Sequence, residues 1–154
     1  MAQFEDKNLT TWTTQGGFLS SGGNVMTATW GFIGFMWGKR VLIVPVRDSR
    51  HTKTFLDKTG EFTFSVPADG ELKKELAYCG KVSGRDADKF AVAGLKKEAA
   101  KSAGGFVVGG CKHYFECKVL TVCQMKGCDV SKVSAWYKDG DLHNFYFGEI
   151  VAEY

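Results

Sequence analysis

The sequence predicts one mainly β domain, in which a mostly antiparallel sheet forms a small barrel and carries three short helices. Segments of strand length recur along the chain, and Asp139-Gly140 is a tight-turn signal between two of them. A composition of two prolines against 19 glycines and 14% aromatic residues suits a β-rich fold. Helical patterns do not alternate with every strand, as a doubly wound parallel sheet would require. The 154 residues are enough for one sizeable core, so we expect a single domain over residues 1–154.

The pattern of residues 24–30 predicts a strand whose backbone edge is available to a flat heterocycle. Small hydroxyl and amide side chains alternate there with Val25, Met26, Ala28 and Trp30. Such alternation places one face of a strand against the core.

Glycines and large aromatic residues follow this strand and predict a flexible connection over residues 31–38. Glycine lets a backbone approach a planar ligand closely, and aromatic rings supply flat surfaces. Aromatic residues are nevertheless more often part of a core than of a cofactor site, and for Trp30 and Trp37 taken singly we expect core packing.

Residues 41–46 form a short apolar run rich in β-branched side chains, which predicts a fully covered central strand. A helix should follow, capped by Asp48 or Ser49 and ended by Gly60. Anions are stabilised at such helix starts. The charges of Arg47 and Arg50 and the hydroxyls of Ser49 and Thr52 could together bind a monophosphate. A solvated, capped helix start with surface arginines is an equally weighted alternative.

The middle of the chain predicts a half-buried strand at residues 61–66 and then a short helix. Leu72, Leu76 and Cys79 would form one face of this helix, and Gly80 would end it. Residues 79–90 predict a polar loop with a helix cap at Asp86.

The last third of the chain should hold a linker and three strands. Phe90 and Leu95 are expected in the core, and residues 96–110 predict a linker that could cover a cofactor. Strands are expected at residues 114–124, 133–138 and 142–152.

The five cysteines fit free thiols in a reducing compartment. Cys111, Cys117 and Cys123 are spaced along one predicted strand, where six residues span about 20 Å. That separation is too large for a shared tetrahedral metal, so we expect no metal site. A labile dithiol between Cys123 and Cys128 remains open, because a turn separates them.

Several function classes find no support in the sequence. The net charge of +3 is mild and the lysines are dispersed, which is not typical of nucleic-acid binding. The chain shows no leader-like start and no apolar stretch of about 18 residues, so we expect a cytoplasmic protein without membrane contact. Neither a hydrolytic triad nor a G-x-G-x-x-G dinucleotide fingerprint stands out.

Five ordered motifs in the chain resemble the flavin reductase-like family of FMN-binding split β-barrels, and within it the flavoredoxin-type branch. They are N-x-M-T-x-x-W at residues 24–30, W-x-K at 37–39, V-R-x-S-R-x-T at 46–52, C-G-x-x-S-G-x-D-x-D-K-F at 79–90 and H-x-x-x-x-G-E-I at 143–150. The resemblance covers nearly the whole chain, and the ordered set is far more specific than any one motif.

The resemblance implies an FMN cofactor and assigns it a set of binding residues. These are Asn24, Met26, Thr27, Ala28, Thr29, Trp30, Arg47, Ser49, Arg50, Thr52, Cys79, Gly80, Ser83 and Lys89. Lys89, if close to the flavin ring, would raise its reduction potential. His143 is the candidate residue for approach of the electron donor, against the alternative of a merely exposed or hydrogen-bonded histidine. Tyr154 would pack near the flavin.

The function expected from the resemblance is electron transfer or flavin reduction by a flavoredoxin-like oxidoreductase. A redox partner protein or NAD(P)H, as a visiting substrate, would supply electrons, and the chain would form a homodimer. The alternative is a barrel that holds a flavin or another planar ligand for storage or sensing, without redox turnover.

Overall fold

A seven-stranded antiparallel sheet carries the fold in the computed structural model, which describes residue 12 and residues 14–154. The spatial order is β2-β1-β5-β8-β9-β4-β3. These strands are β1 (Gly17–Ser21), β2 (Asn24–Ala28), β3 (Phe32–Met36), β4 (Lys39–Arg47), β5 (Glu61–Val66), β8 (His113–Gln124) and β9 (His143–Glu153). A separate two-stranded sheet is formed by β6 (Lys97–Ala99) and β7 (Phe106–Val108). The remaining elements are helices α1 (His51–Thr59), α2 (Lys73–Lys81) and α3 (Lys89–Val92) and a 3-10 segment (Ser131–Trp136). The polar N-terminal stretch at residues 1–11 lies outside the described residues.

The sheet curls into an incomplete barrel. Residues of β2 lie within 8 Å of β4, although the two strands stand far apart in the sheet order. The interior is filled by large side chains, which include Leu19, Phe62, Phe64 and Tyr146. The mainly β barrel with a few short helices is therefore confirmed.

A second core lies between the outer face of the sheet and helices α2 and α3. Phe18 and Val25 point into it from β1 and β2, while Leu76, Cys79 and Phe90 meet them from the helices. Both faces of the first two strands are therefore buried, and β2 ends the sheet with its outer backbone edge unpaired by any described strand.

Strand β5 is buried along nearly its whole length, so the expectation of a half-buried strand is wrong. The cause is the β6–β7 hairpin, which covers its outer face in a region that the sequence suggested was linker. The Thr63 hydroxyl donates to the Phe106 carbonyl at 2.6 Å, and the Val108 amide donates to the Ser65 hydroxyl at 3.1 Å. Polar side chains in an alternating strand can thus face a hydrogen-bonded neighbour rather than water.

Residues 32–47 form two paired strands where the sequence predicts a flexible connection and one strand. The covered strand is confirmed as β4, although it lies second from the sheet edge rather than at the centre. The expected flexible connection is instead strand β3, paired with β4 through a hairpin at Trp37 and Gly38. Trp30 and Trp37 are 42% and 55% exposed, so their expected core packing is also wrong.

The helix boundaries differ from the sequence signals at three points. Helix α1 begins after Arg50 without a side-chain cap, because the Ser49 hydroxyl donates instead to Asp141; its end at Gly60 is confirmed. Helix α2 runs through Gly80 to Lys81. Asp88, not Asp86, caps α3, accepting from two backbone amides.

Of the three strands predicted near the C-terminus, the middle one is absent and the other two are confirmed. Residues 131–136 form the exposed 3-10 segment, and Gly140 closes a turn by donating its amide to the Tyr137 carbonyl at 3.0 Å. Strands β8 and β9 pair along most of their length, and the register of this pairing shifts at two places.

The described cysteines are all free thiols, and Cys123 and Cys128 are exposed on either side of the expected turn. None of the helices among the described residues is long and apolar enough to cross a membrane.

Candidate functional site

Two adjoining cavities lie where β2, the end of β4, the start of α1 and the start of β9 meet. We call the first the aromatic chamber; it measures about 200 Å³ and is lined by Met26, Thr27, Ala28, Thr29, Trp30, Pro45, Arg47, Arg50, Trp136 and His143. We call the second the cationic chamber; it measures about 290 Å³ and is lined by Asn24, Met26, Arg47, Ser49, Arg50, His51, Thr52, Lys81, Val82, Ser83, Gly84, Arg85, Lys89 and Asp141. The chambers share Met26, Arg47 and Arg50, so one elongated ligand can occupy both.

The aromatic chamber is walled by the end of β2 and by a group of rings. The Trp30 and Trp136 rings meet edge to face with centroids 5.2 Å apart, and the His143 ring lies 5.2 Å from that of Trp30. Trp136 comes from the 3-10 segment and is 60% exposed. A planar ligand in this chamber would therefore meet backbone on one side and aromatic edges at the mouth.

His143 is a buried, neutral imidazole at one end of the aromatic chamber. The residue is 7% exposed, and its Nδ1 lies 2.8 Å from the Tyr137 hydroxyl. Burial and then the nearby charge of Arg47 lower the pKa of His143 to about 4, although the Asp141 carboxylate acts in the opposite direction. The group therefore carries no charge at neutral pH.

The cationic chamber holds five positively charged side chains and one carboxylate, Asp141. Asp141 is already occupied, since it accepts from both the amide and the hydroxyl of Ser49. Within the described part of the chain, no carboxylate lies within 4.0 Å of Arg50, Arg85 or Lys89. A cluster of cations without counter-charges attracts an anion.

Backbone carbonyls orient three of these cations. Arg50 donates to the Gly80 carbonyl at 3.0 Å, Arg85 to the Ser49 carbonyl at 3.1 Å, and Lys89 to the Cys79 carbonyl at 3.2 Å. Lys89 is only 4% exposed, and burial lowers its pKa. Each carbonyl accepts from only one of the several N–H donors of its partner side chain, so all three side chains retain N–H groups that can bind a phosphate.

The loop at residues 81–85 fits tightly against β2 and α1. A Cβ at Gly84 would overlap Asn24 Oδ1 and lie 3.0 Å from the His51 ring. Asn24 in turn donates to the buried Thr52 hydroxyl at 2.8 Å, joining the strand to the helix start. His51 Nδ1 is buried without a hydrogen-bond partner among the described residues. Burial and the charges of Arg85 and Lys89 lower the His51 pKa.

The structure brings most of the predicted binding residues into the two adjoining chambers, which together we call the cleft. All but Cys79 and Gly80 line one chamber or both, as does His143. The Cys79 side chain lies in the second core, where burial raises its pKa to about 11, and only its carbonyl reaches toward the site. A Cβ at Gly80 would face Thr27 at 3.5 Å, on the side of α2 that packs against β2.

Tyr154 lines neither chamber. Its hydroxyl donates to the buried Glu116 at 2.7 Å, and its ring stacks on Tyr114. The β6–β7 hairpin that replaces the expected linker also lines neither chamber.

Sequence reasoning missed several residues that line the cleft. They are Pro45, His51, Lys81, Val82, Gly84, Arg85, Trp136 and Asp141. Lys81, Gly84 and Arg85 lie inside the loop motif at residues 79–90. The basic side chains of that motif were a signal that could have indicated a binding site there. Trp136 carried no such signal, because its segment has the residue pattern of a strand.

A comparison with protein families identifies this architecture. The flavin reductase like domain matches residues 7–153, nearly the whole chain. The chain belongs to the flavin reductase-like family.

A comparison with individual protein sequences gives a match over part of the chain. An uncharacterized protein of Archaeoglobus fulgidus is 30% identical over 97 residues, which cover 63% of this chain and 54% of that protein. The match thus spans about half the length of this curated relative.

Solved structures share the fold. A flavoredoxin from Methanosarcina acetivorans has a TM-score of 0.73 at 22% identity, over 91% of this chain and 67% of that one. An FMN-binding protein from Thermus thermophilus with bound 1-cyclohex-2-enone has a TM-score of 0.71 at 21% identity, over 90% of this chain and 68% of that one. At these identities the likeness supports the split β-barrel fold.

The residues of the cleft fit a phosphorylated flavin. The unpaired outer edge of β2 can hydrogen-bond a flat heterocycle, and the uncompensated cations of the adjoining chamber can bind a phosphate. The two chemistries are arranged side by side, as an elongated molecule with one planar and one anionic end requires.

Proposed function

We propose that the chain binds FMN across the two chambers and acts in electron transfer or flavin reduction. The observation that carries this proposal is the group of cations without counter-charges beside a chamber walled by an unpaired strand edge. The structural neighbour from Thermus thermophilus, an FMN-binding protein, supports FMN as the form of the flavin.

Each chamber has its own part in binding. Arg50, Arg85 and Lys89 would hold the phosphate, and the first amides of α1 would add partial positive charge. The backbone of residues 27–30 would hold the ring. Asn24 and Thr52 fix the spacing between these two groups through their mutual hydrogen bond.

The bound flavin would supply the electron or hydride transfer, and the protein would position it and control access. His143 lies beside the ring chamber as an uncharged group, so it can donate or accept a hydrogen bond without adding charge. The half-exposed rings of Trp30 and Trp136 form a mouth through which a second molecule can approach. This access favours redox turnover over storage.

We further propose that the protein is a homodimer formed through an exposed apolar face. This face comprises the apolar side chains that β3, its hairpin and β8 leave in solvent: Phe32, Phe35, Met36, Trp37, Leu120 and Val122. Trp37 and Leu120 line one shared cavity, which connects the β3 hairpin with β8. An apolar surface of this kind is typical of protein–protein contact.

The test of redox function is anaerobic reduction of the FMN-loaded protein, followed at about 450 nm, the oxidised-flavin band. Bleaching by NADH or NADPH would establish a reductase. Bleaching by a reduced ferredoxin-like protein but not by nicotinamides would establish an electron carrier. A bound flavin that neither donor reduces would overturn the redox proposal and leave storage.

A further inference from the structure

The hydroxyl of Tyr137 lies between two acceptors at the edge of the aromatic chamber. It is 2.8 Å from His143 Nδ1 and 3.4 Å from Met125 Sδ. The Met125 amide also donates to the His143 carbonyl at 3.1 Å, so these three residues form one connected unit. Neither Tyr137 nor Met125 lines the cleft.

Arg47 holds Tyr137 in place. Its guanidinium donates to the carbonyls of Trp136 and Asp141 at 2.9 and 2.7 Å and lies 5.2 Å from the centre of the Tyr137 ring. The Tyr137 and His143 rings meet edge to face, with centroids 5.5 Å apart. The phenol is thus fixed against the imidazole from two sides.

A neutral imidazole has one N–H, and its partners decide which nitrogen carries it. Ring nitrogen is a much stronger acceptor than a thioether sulfur, so the Tyr137 hydroxyl should donate to Nδ1 rather than to Met125. The proton of His143 then resides on Nε2. Nε2 has no hydrogen-bond partner among the described residues and keeps some solvent-accessible surface, and His143 lines the aromatic chamber.

We propose that Tyr137 is a positioning residue that fixes His143 as an Nε2–H donor, which selects a second substrate bearing a carbonyl oxygen. The proposal rests on the proposed function for the identity of the cleft. It deepens that function, because it names the substrate atom that the protein recognises: the oxygen of a carboxamide or of another conjugated carbonyl.

The first experiment measures the His143 tautomer in cofactor-free protein by 15N-resolved NMR of the imidazole ring. Wild-type protein should show the proton on Nε2. Tyr137→Phe keeps the ring contacts but removes the hydroxyl, so the Nε2–H to Nδ1–H ratio should fall roughly fivefold, the effect of one ordinary hydrogen bond.

Met125→Leu is the matched control for this experiment. It removes the competing acceptor and leaves Nδ1 as the partner of Tyr137, so the Nε2–H tautomer should persist. A wild-type proton on Nδ1, or an unchanged tautomer ratio in Tyr137→Phe, would overturn the inference. Neither result depends on flavin binding, so a failure here is distinguishable from a failure of the proposed function.

The second experiment compares nicotinamide with 3-methylpyridine, which lacks the carbonyl group, as probes of the FMN-loaded protein. Their binding can be followed through the flavin absorption spectrum. Wild-type protein should bind nicotinamide several-fold more tightly, and Tyr137→Phe should reduce this preference roughly fivefold. Equal binding of the two probes by the wild-type protein would overturn the assignment of a carbonyl substrate.

Discussion

Arg85 is the cation of the cationic chamber best suited to a test of phosphate binding. It is exposed and makes a single described side-chain hydrogen bond, to the Ser49 carbonyl, so its removal should disturb the fold little. We predict that Arg85→Ala weakens FMN binding about tenfold to a hundredfold, the loss expected for a charge-assisted hydrogen bond. Titration of the cofactor-free protein with FMN, followed by quenching of flavin fluorescence, measures the effect.

Two comparisons separate a phosphate contact from a general loss of charge. Riboflavin, which lacks the phosphate, should bind wild-type and Arg85→Ala protein equally. Arg40→Ala removes another exposed arginine, which pairs with Glu153 outside the cleft, and should leave FMN affinity unchanged. Equal weakening of riboflavin and FMN in Arg85→Ala would argue against a phosphate contact.

His143 should make the folded protein sensitive to mild acid. Its pKa is about 4 in the folded state against about 6.5 in the unfolded chain, so between these values the unfolded state binds more protons. The free energy of unfolding should therefore fall as the pH falls from about 6.5 toward 4, with no His143 contribution to the slope above that window. His51, whose pKa is also lowered, acts in the same direction.

Urea unfolding at several pH values between about 7 and about 4.5 tests this prediction. His143→Asn should reduce the slope of unfolding free energy against pH by up to about 1.4 kcal/mol per pH unit, the value for one proton. Identical slopes in the two proteins would contradict a buried, neutral His143.

The residues of the site were predictable where the chemistry lies within one short motif. Arg47, Arg50 and Thr52 lie within the six residues that lead from the end of β4 into α1, so local geometry brings them together. Asp141 and Trp136 reach the cleft from a distant segment through tertiary contacts, which no local pattern encodes. Cys79 shows the converse case: the helix pattern placed it on one face with Leu72 and Leu76, and its side chain lies in the second core, although the loop motif assigned it to the flavin.

Gly84 and Gly80 offer a matched pair of substitutions within one loop-and-helix element. Gly84→Ala should displace the loop, because its Cβ would overlap Asn24 Oδ1 beside the cationic chamber. We expect FMN affinity to fall at least about tenfold, since Asn24 and the loop set the spacing of the phosphate ligands.

Gly80→Ala should instead stabilise the protein. Gly80 lies inside α2 and its Cβ would make an ordinary contact with Thr27, so alanine should stabilise the helix by about 0.5–1 kcal/mol. Thermal unfolding of both variants with and without FMN makes the comparison. Loss of FMN binding in Gly80→Ala and not in Gly84→Ala would contradict the geometry of the loop.

Elements were predictable from the sequence when their burial followed from a local pattern. Strands β4, β8 and β9 are long or strongly apolar and were predicted within a few residues. Strand β5 was predicted as a strand, but its full burial depends on the β6–β7 hairpin, which contributes tertiary hydrogen bonds. The 3-10 segment has the residue types of a strand, yet lies exposed at the mouth of the cleft, where no described strand pairs with it.

The exposed apolar face should make the protein dimeric. Phe35 is 75% exposed on β3, so an acidic side chain there would oppose any contact through this face. We predict that wild-type protein is a dimer by light scattering coupled to size-exclusion chromatography and that Phe35→Asp is mostly monomeric. Val92→Asp, an equivalent change at a 62% exposed position on α3, should remain dimeric. A monomeric wild-type protein would contradict the proposed interface.

At the scale of the whole molecule, we propose that this barrel binds FMN across the two chambers. The most direct measurement is the absorption spectrum of the purified protein after addition of FMN and removal of the excess, with mass spectrometry of the extracted ligand. We predict a flavin band near about 450 nm, one flavin per chain and FMN as the bound species. A colourless protein that does not retain FMN would contradict the claim, whatever its fold.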